Sequence, residues 1–105
     1  PGLAWADYYA QLHAIGGLGI STISKLACFS RQSFAGSPAL VLDLRIMRVI
    51  AAGRWAELGP LHGLAYANAH VRYVDYLATM GAIAGVGNVS AEQIEFFLFS
   101  LGEAF

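Results

Sequence analysis

The sequence predicts an all-α fold in a single domain. Apolar residues recur at spacings of three and four along most of the chain, which is the period of a helix with one buried face. No run alternates apolar and polar residues as a half-buried strand does. The 105 residues suffice for one domain with a modest core. We therefore expect one helical domain over residues 1–105.

The first two predicted helices, at about residues 3–14 and 20–32, flank the stretch IGGLGISTISK (15–25). In the first helix we expect the inner positions to be Leu3, Tyr8, Leu12 and Ile15. In the second helix the apolar positions are Ile20, Ile23, Leu26, Ala27 and Phe29.

Caps and breakers mark the remaining elements. Residues 32–40 (QSFAGSPAL) are predicted to be a loop from their Gly, Ser and Pro. Asp43 suits the N-cap of a helix that ends near Gly53. A long helix is predicted at about 61–80, with GAIAGVGN (81–88) breaking it. Ser90 and Gln93 form a capping box, which begins a last helix through Leu101.

The composition is apolar for a free-standing small domain, with 57% hydrophobic and 12% charged residues. We therefore expect a fragment, a processed chain or half of a larger fold, completed by another chain or an upstream segment. The charge-free stretches 8–24 and 76–91 fall short of the ~20 apolar residues that a membrane span needs, so no membrane partner is expected. The single cysteine, Cys28, excludes an internal disulfide and favours an intracellular protein, in the cytoplasm, nucleoid or nucleus.

The net charge of −1 hides an asymmetry along the chain. Residues 25–54 hold five basic residues and one acidic residue, whereas residues 55–105 hold one basic and five acidic residues. A basic segment of this kind suits contact with a polyanion, although scattered surface charge would give the same count. Its members are Lys25, Arg31, Arg45, Arg48 and Arg54.

The glycines of IGGLG allow positive φ and close approach of a ligand to the backbone, directly before a helix N-terminus that favours anions. A tight turn without a ligand would use the same residues. The pattern resembles the helix-hairpin-helix DNA-binding motif. Beyond it, PALVLDLRIMRVI (38–50) and IEFFLFSLG (94–102) resemble segments of helix-hairpin-helix DNA glycosylases of the 8-oxoguanine DNA glycosylase branch. The resemblance runs from about Leu12 to Gly102.

This resemblance implies an enzyme that flips a modified base out of double-stranded DNA and cleaves its N-glycosidic bond. Asp43 would be the catalytic carboxylate, Phe99 would stack on the flipped base, and Glu95 would read the base edge. Arg45 and Arg48 follow Asp43 on the same helix and could contact phosphates, or Arg45 could pair with Asp43. The hairpin itself would bind a phosphate through the backbone of Ile15, Gly16, Gly17, Leu18 and Gly19.

The resemblance also implies a monovalent cation at the hairpin, Na⁺ or K⁺, bound by the carbonyls of His13, Ile15 and Leu18. No other cofactor is expected. Phe99 lies outside the apolar face formed by Ile94, Phe97, Leu98 and Leu101, so it is either a base-stacking ring or a surface ring covered by a partner.

Two departures leave alternatives open. In bifunctional members the second residue after the hairpin is a nucleophilic lysine, but here it is Ser21. Either the enzyme is monofunctional, with Asp43 steering water, or Lys25, one helical turn on, is the nucleophile; Lys25 could equally be a phosphate contact or a solvated residue. The chain also has room for only one helix before the hairpin, which implies the C-terminal half of the fold. The alternative function is a non-catalytic DNA-binding or protein-docking module.

Overall fold

A computed structural model describes residues 4–53 and 55–104, with the side chains of residues 101–104 excepted. The described residues are mostly helical, which confirms the all-α prediction. In chain order the elements are α1 (Trp5–Gly16), α2 (Ile20–Phe29), β1 (Ser33–Phe34), β2 (Ser37–Pro38), α3 (Leu44–Ala51), a 3-10 helix (Ala56–Leu61), α4 (Ala69–Gly87) and α5 (Ala91–Ala104).

The core lies between α4 and the elements that surround it. Trp5 of α1 is buried, stacks on Tyr73 of α4 with ring centroids 3.9 Å apart, and donates its Nε1–H to the His70 carbonyl at 2.6 Å. α3 and α5 pack against each other, and α5 also packs on α4. This arrangement brings the start of α3 close to both α2 and α5.

The predicted inner face of the first helix is only partly correct. Tyr8 and Leu12 are partly buried against the core, but Ile15 is 76% exposed, and Leu3 lies outside the described residues. In α2, Ile20, Ile23 and Ala27 are buried, whereas Leu26 and Phe29 are exposed.

The predicted loop at 32–40 contains a small antiparallel hairpin, in which Ser33 pairs with Pro38 and Phe34 pairs with Ser37. The expectation of no strand was therefore wrong at this place. The turn residues Ala35 and Gly36 both have positive φ (52° and 81°), as a two-residue hairpin turn requires. The turn directs Phe34 into the core, where its ring lies edge-on to Trp5.

The prediction for the long helix was wrong at both ends. α4 starts at Ala69, because Gly63 takes a left-handed conformation (φ 82°) and Asn68 folds the turn by accepting from Ala65 N–H at 2.8 Å. Arg72 then holds the turn by donating to the carbonyls of His62 and Pro60 at 2.6 and 2.7 Å. At its far end α4 runs through the glycines to Gly87, since Met80 and Ala84 remain buried.

The last helix begins as predicted. Ser90 Oγ accepts from Gln93 N–H at 3.1 Å, and Gln93 Oε1 accepts from Ser90 N–H at 2.9 Å, which confirms the capping box. Its buried face is narrower than predicted, since Leu98 is buried but Phe97 is 53% exposed. Phe97 instead lies edge-on to Trp55, with ring centroids 6.5 Å apart. The side chain of Leu101 lies outside the described residues.

Candidate active site

The hairpin between α1 and α2 presents backbone groups to its surroundings. α1 ends because Gly17 is left-handed (φ 69°), and its N–H donates to the His13 carbonyl at 2.8 Å. Gly19 then leads into α2 in an extended conformation, and no side chain caps this helix. The first turn of α2 thus has the open N–H groups that the predicted phosphate contact requires.

Two side chains lie over this hairpin. His13 Nδ1 is 2.8 Å from the Leu18 carbonyl oxygen, and because a carbonyl only accepts, this nitrogen carries the proton. The hydroxyl of Tyr66 lies too close to residue 19 to leave room for a Cβ. A side chain at this position would therefore displace the Tyr66 ring, which is half exposed.

The predicted cation ligands already take part in hydrogen bonds. The His13 carbonyl accepts from Gly17 N–H, and the Leu18 carbonyl accepts from the His13 ring, each at 2.8 Å. A carbonyl oxygen has two lone pairs, so one position on each remains for Na⁺ or K⁺. The cation site, with Ile15 as its third ligand, stays a prediction.

Asp43 is fixed at the start of α3. Its backbone is extended (φ −117°, ψ 179°) and its Oδ1 accepts from Ile46 N–H at 3.1 Å, which confirms the predicted N-cap. The residue is only 9% exposed. Because the cap uses one carboxylate oxygen, Asp43 retains a second oxygen for other chemistry.

A cleft of about 320 Å³ opens beside Asp43 and brings together side chains from three helices. It is lined by Ser21, Lys25, Asp43, Leu44, Arg45 and Phe99. Ser21 and Lys25 come from α2, one turn apart, and Phe99 comes from α5. Five of the predicted site residues, separated by up to 78 positions in the sequence, therefore share one surface depression.

Within this cleft an arginine covers the predicted stacking ring. The guanidinium carbon of Arg45 is 4.9 Å from the centroid of Phe99, which is cation–π geometry. Phe99 itself is half-buried and packs against the core. Arg48, one turn further along α3, is exposed and does not line the cleft.

Glu95 does not line the cleft. It is half-buried, and this desolvation raises the pKa of its carboxyl group to about 7. The nearby charges of Glu92 and Asp43 act in the same direction, whereas the N–H of Val41 opposes the rise. The predicted contact of Glu95 with a base edge stays a prediction, and in this structure the carboxyl group faces the chain that precedes Asp43.

That chain is the extended segment Leu40–Leu42, which we name the strap. The N–H of its first residue donates to the Tyr73 hydroxyl at 2.9 Å, and this hydroxyl donates back to the carbonyl of the same residue. The carbonyl of its second residue accepts from the Tyr76 hydroxyl at 2.8 Å. Burial raises the pKa of both tyrosines, so their hydroxyls remain protonated donors.

The last strap residue, Leu42, is tied to α2. Its N–H donates to Ser24 Oγ at 2.9 Å, and the Ser24 hydroxyl lies 3.4 Å from the Leu42 carbonyl and 3.1 Å from that of Ser21. Sequence reasoning singled out neither Ser24 nor the contacts of Tyr73 and Tyr76 with the strap. Nothing local marks the three, because their partners lie 18 to 35 positions away.

Two further cavities lie outside this region. One of about 570 Å³ is lined by the end of α2 and the β-hairpin, and includes Cys28, Arg31 and Glu92. Desolvation, followed by the charges of Glu95 and Glu92, raises the pKa of the Cys28 thiol. The other cavity, of about 160 Å³, is apolar and lies between Trp55 and α5.

The basic segment is not one continuous surface. Lys25 and Arg45 face the cleft, while Arg31 lies by the cavity at the opposite end of α2. Arg54 lies outside the described residues. Fewer positive charges therefore lie next to the hairpin than the five basic residues of segment 25–54 suggest.

Residues 4–53 and 55–104 also bear on two other kinds of feature, metal sites and membrane-spanning helices. Over this part of the chain, no three His, Cys, Asp or Glu side chains are grouped as metal ligands. No single helix in it is long and apolar enough to cross a membrane; α1 and α2 reach that length and composition together, but with a bend of 118° between them.

Comparison of the sequence with known proteins identifies a family. No curated protein and no solved structure matches the chain significantly. The family described as "Putative 8-oxoguanine DNA glycosylase OGG-like protein" matches residues 3–99, which includes the hairpin, Asp43 and Phe99. This match covers nearly the whole chain, and the chain therefore belongs to that OGG-like family.

Proposed function

We propose that this chain excises a modified base from double-stranded DNA by cleaving its N-glycosidic bond. The observation that carries the proposal is the cleft, in which the Asp43 carboxylate lies beside Ser21 and Lys25 on the helix that follows the hairpin. A phosphate bound at the start of α2 would hold the DNA backbone close to this carboxylate. Membership of the OGG-like family supports DNA as the substrate.

In this proposal the flipped nucleotide enters the cleft with its C1′ facing Asp43. As the bond from C1′ to the base nitrogen lengthens, positive charge grows on the sugar, and the fixed carboxylate stabilises it. Water then adds to C1′ and gives up one proton, the base leaves with a proton on its nitrogen, and an abasic sugar remains. The N-cap contact to Ile46 keeps Asp43 in place without using both oxygens.

The geometry of the cleft bears on whether water or Lys25 attacks C1′. Ser21 and Lys25 line the same cleft, so a lysine amine is present although it stands one turn beyond the position expected in bifunctional relatives. Lys25 is exposed, however, and the position that holds the nucleophile in bifunctional relatives is Ser21, which cannot form a Schiff base. We therefore favour a monofunctional enzyme in which water is the nucleophile.

The base itself would stack on Phe99 after displacing the Arg45 guanidinium from the ring. Glu95 would then form hydrogen bonds with the base edge only if its own side chain rotated from the strap towards the cleft. Glu95→Gln is the variant for this question: a changed ranking of excised bases supports base reading, and an unchanged ranking assigns Glu95 to the strap alone.

The proposal is tested with duplex oligonucleotides that each carry one modified base, incubated with the protein and then treated with alkali to cleave abasic sites. We expect at least one oligonucleotide to be cut only after protein treatment. Failure with every base in the set would contradict the proposal and favour the alternative, a non-catalytic DNA-binding or protein-docking module. The covering of Phe99 by Arg45 is the observation that favours this alternative, because it closes the stacking ring.

Borohydride separates the two nucleophiles in the same assay, since it reduces a Schiff base to a permanent protein–DNA link. We expect no trapped adduct. A trapped adduct that disappears in Lys25→Gln would instead assign Lys25 as the nucleophile, and one that persists in Lys25→Gln would contradict both mechanisms.

A further inference from the structure

The orientation of Asp43 depends on the chain that delivers it to α3. Its cap to Ile46 fixes the side chain relative to α3, but the direction of approach is set by the strap that precedes it. Leu40 and Leu42 are almost completely buried, so their backbone groups must find partners within the protein. Five of the six strap N–H and carbonyl groups have a side-chain hydroxyl within hydrogen-bonding distance, and the sixth faces Glu95.

Of these contacts, the one closest to Asp43 comes from α2. Ser24 is completely buried, and its Oγ is the acceptor for Leu42 N–H, one peptide unit before Asp43. Its neighbours Ser21 and Lys25 line the cleft. Ser24, which holds the strap, therefore lies within one helical turn of both α2 residues that line the cleft.

We propose that Ser24 is a positioning residue, which holds Leu42 against α2 and so sets the distance between the Asp43 carboxylate and the DNA bound at the hairpin. This inference rests on the proposed function. It assigns Ser24 no contact with substrate. Its effect is to join the helix that would bind phosphate to the segment that carries the carboxylate, so that neither moves without the other.

The strap offers a graded series of variants to test this. Ser24→Ala removes the hydroxyl that holds Leu42, and Tyr73→Phe removes the hydroxyl that holds Leu40, two residues further from Asp43. Both changes leave buried backbone groups without their partner, so both should lower the thermal midpoint of unfolding. Only a positioning role predicts that their effects on excision differ.

We expect Ser24→Ala to lower the single-turnover excision rate by roughly ten- to a hundredfold, the scale of a displacement of about 1 Å at a reacting group. The dissociation constant for DNA should change less than about threefold, and Tyr73→Phe should keep the rate within about threefold of the parent. If Ser24→Ala excises at the parent rate, or if the two variants lose rate equally, the proposal is wrong. If Ser24→Ala does not fold, Tyr76→Phe, which frees the Val41 carbonyl, should give an intermediate loss of rate, and a parent rate there would overturn the proposal.

Amide hydrogen exchange tests the same inference without any excision. The Ile46 N–H is protected by its bond to Asp43, so Ser24→Ala should reduce its protection more than that of Leu77 in the core of α4, whereas Tyr73→Phe should affect the two alike. Equal loss at Ile46 and Leu77 in Ser24→Ala would overturn the positioning role. A parent protein that excises no base would contradict the proposed function alone, while the exchange comparison would still decide on Ser24.

Discussion

Two non-helical segments lead into the two helices of the cleft, and they are built in opposite ways. The hairpin before α2 has no side-chain cap at Gly19, and its backbone is largely exposed. The strap before α3 is mostly buried, is held by side chains from three other helices, and ends in a capped Asp43. A helix N-terminus with open donors can receive an anion from outside, whereas a segment with satisfied donors can hold one side chain still.

The difference separates binding from chemistry in the proposed enzyme. A change in the hairpin should act on DNA affinity, and a change at the end of the strap should act on the rate of excision. Each of the following variants tests one side of this division.

The largest effect is expected from Asp43→Asn. Asparagine caps a helix about as well as aspartate, so α3 and the DNA affinity should be preserved. Loss of the charge should lower the excision rate by about 100- to 1,000-fold, the scale of removing one preorganised electrostatic group. Single-turnover kinetics with a DNA titration measure both quantities, and excision at the parent rate would remove Asp43 from the mechanism.

Gly19→Ala should weaken DNA binding by about tenfold, comparable to the loss of one hydrogen bond to a charged group. The new Cβ would collide with the Tyr66 hydroxyl and displace the ring or the hairpin, although the φ of −92° suits alanine. Gly85→Ala, on an open surface of α4, is the control and should keep the parent affinity. Combining Gly19→Ala with Tyr66→Phe removes the atom in collision and should restore part of the affinity; equal affinity in Gly19→Ala and parent would contradict the assignment.

Salt dependence gives a smaller effect. Each phosphate neutralised contributes about −0.9 to the slope of log affinity against log salt concentration. Arg48→Gln, on the exposed side of α3, should make the slope shallower by about one such unit. Arg31→Gln, at the opposite end of α2, should leave it unchanged. A parent slope near zero would exclude phosphate contacts altogether.

The smallest effect concerns the pH dependence of stability at Glu95. Its pKa rises from 4.5 to about 7 on folding, so the folded state favours the protonated carboxyl group. The stability that this group contributes is therefore present below pH 4.5 and is lost as the pH rises through 7. Glu95→Gln should flatten this part of the profile of thermal midpoint against pH. Identical profiles for Glu95→Gln and the parent would show that burial does not shift this group.

What the sequence predicted well is local. The Asp43 cap and the Ser90–Gln93 capping box each join residues three apart, so their pattern is visible in the chain itself. The turn at Gly17 was predictable for the same reason, because Gly17 ends α1 with a positive φ, a conformation that glycine adopts readily. The gathering of Asp43, Lys25 and Phe99 in one cleft came from the family resemblance and not from any local pattern.

What it missed depends on contacts between distant residues. α4 begins eight residues later than predicted, because Arg72 reaches back to carbonyls ten and twelve positions earlier and holds them in a turn. The glycines from position 81 onwards do not end α4, since its burial against the core outweighs a cost of about 1 kcal/mol for each glycine. The ties of the strap have no signal in a single sequence at all.

The contact of Arg45 with Phe99 has a consequence for the choice of base. A base that stacks on this ring must first remove a guanidinium whose contact is worth about 0.5–1 kcal/mol at an exposed site. A planar aromatic base regains about 1–3 kcal/mol by stacking, which exceeds the loss of this ring contact. A base whose ring has been saturated is puckered and stacks poorly. Excision of such bases should improve in Arg45→Gln relative to planar ones, and an unchanged ratio would exclude the competition. The arginine would in this way set an entry threshold that depends on the flatness of the lesion, before any hydrogen bond to its edge is made.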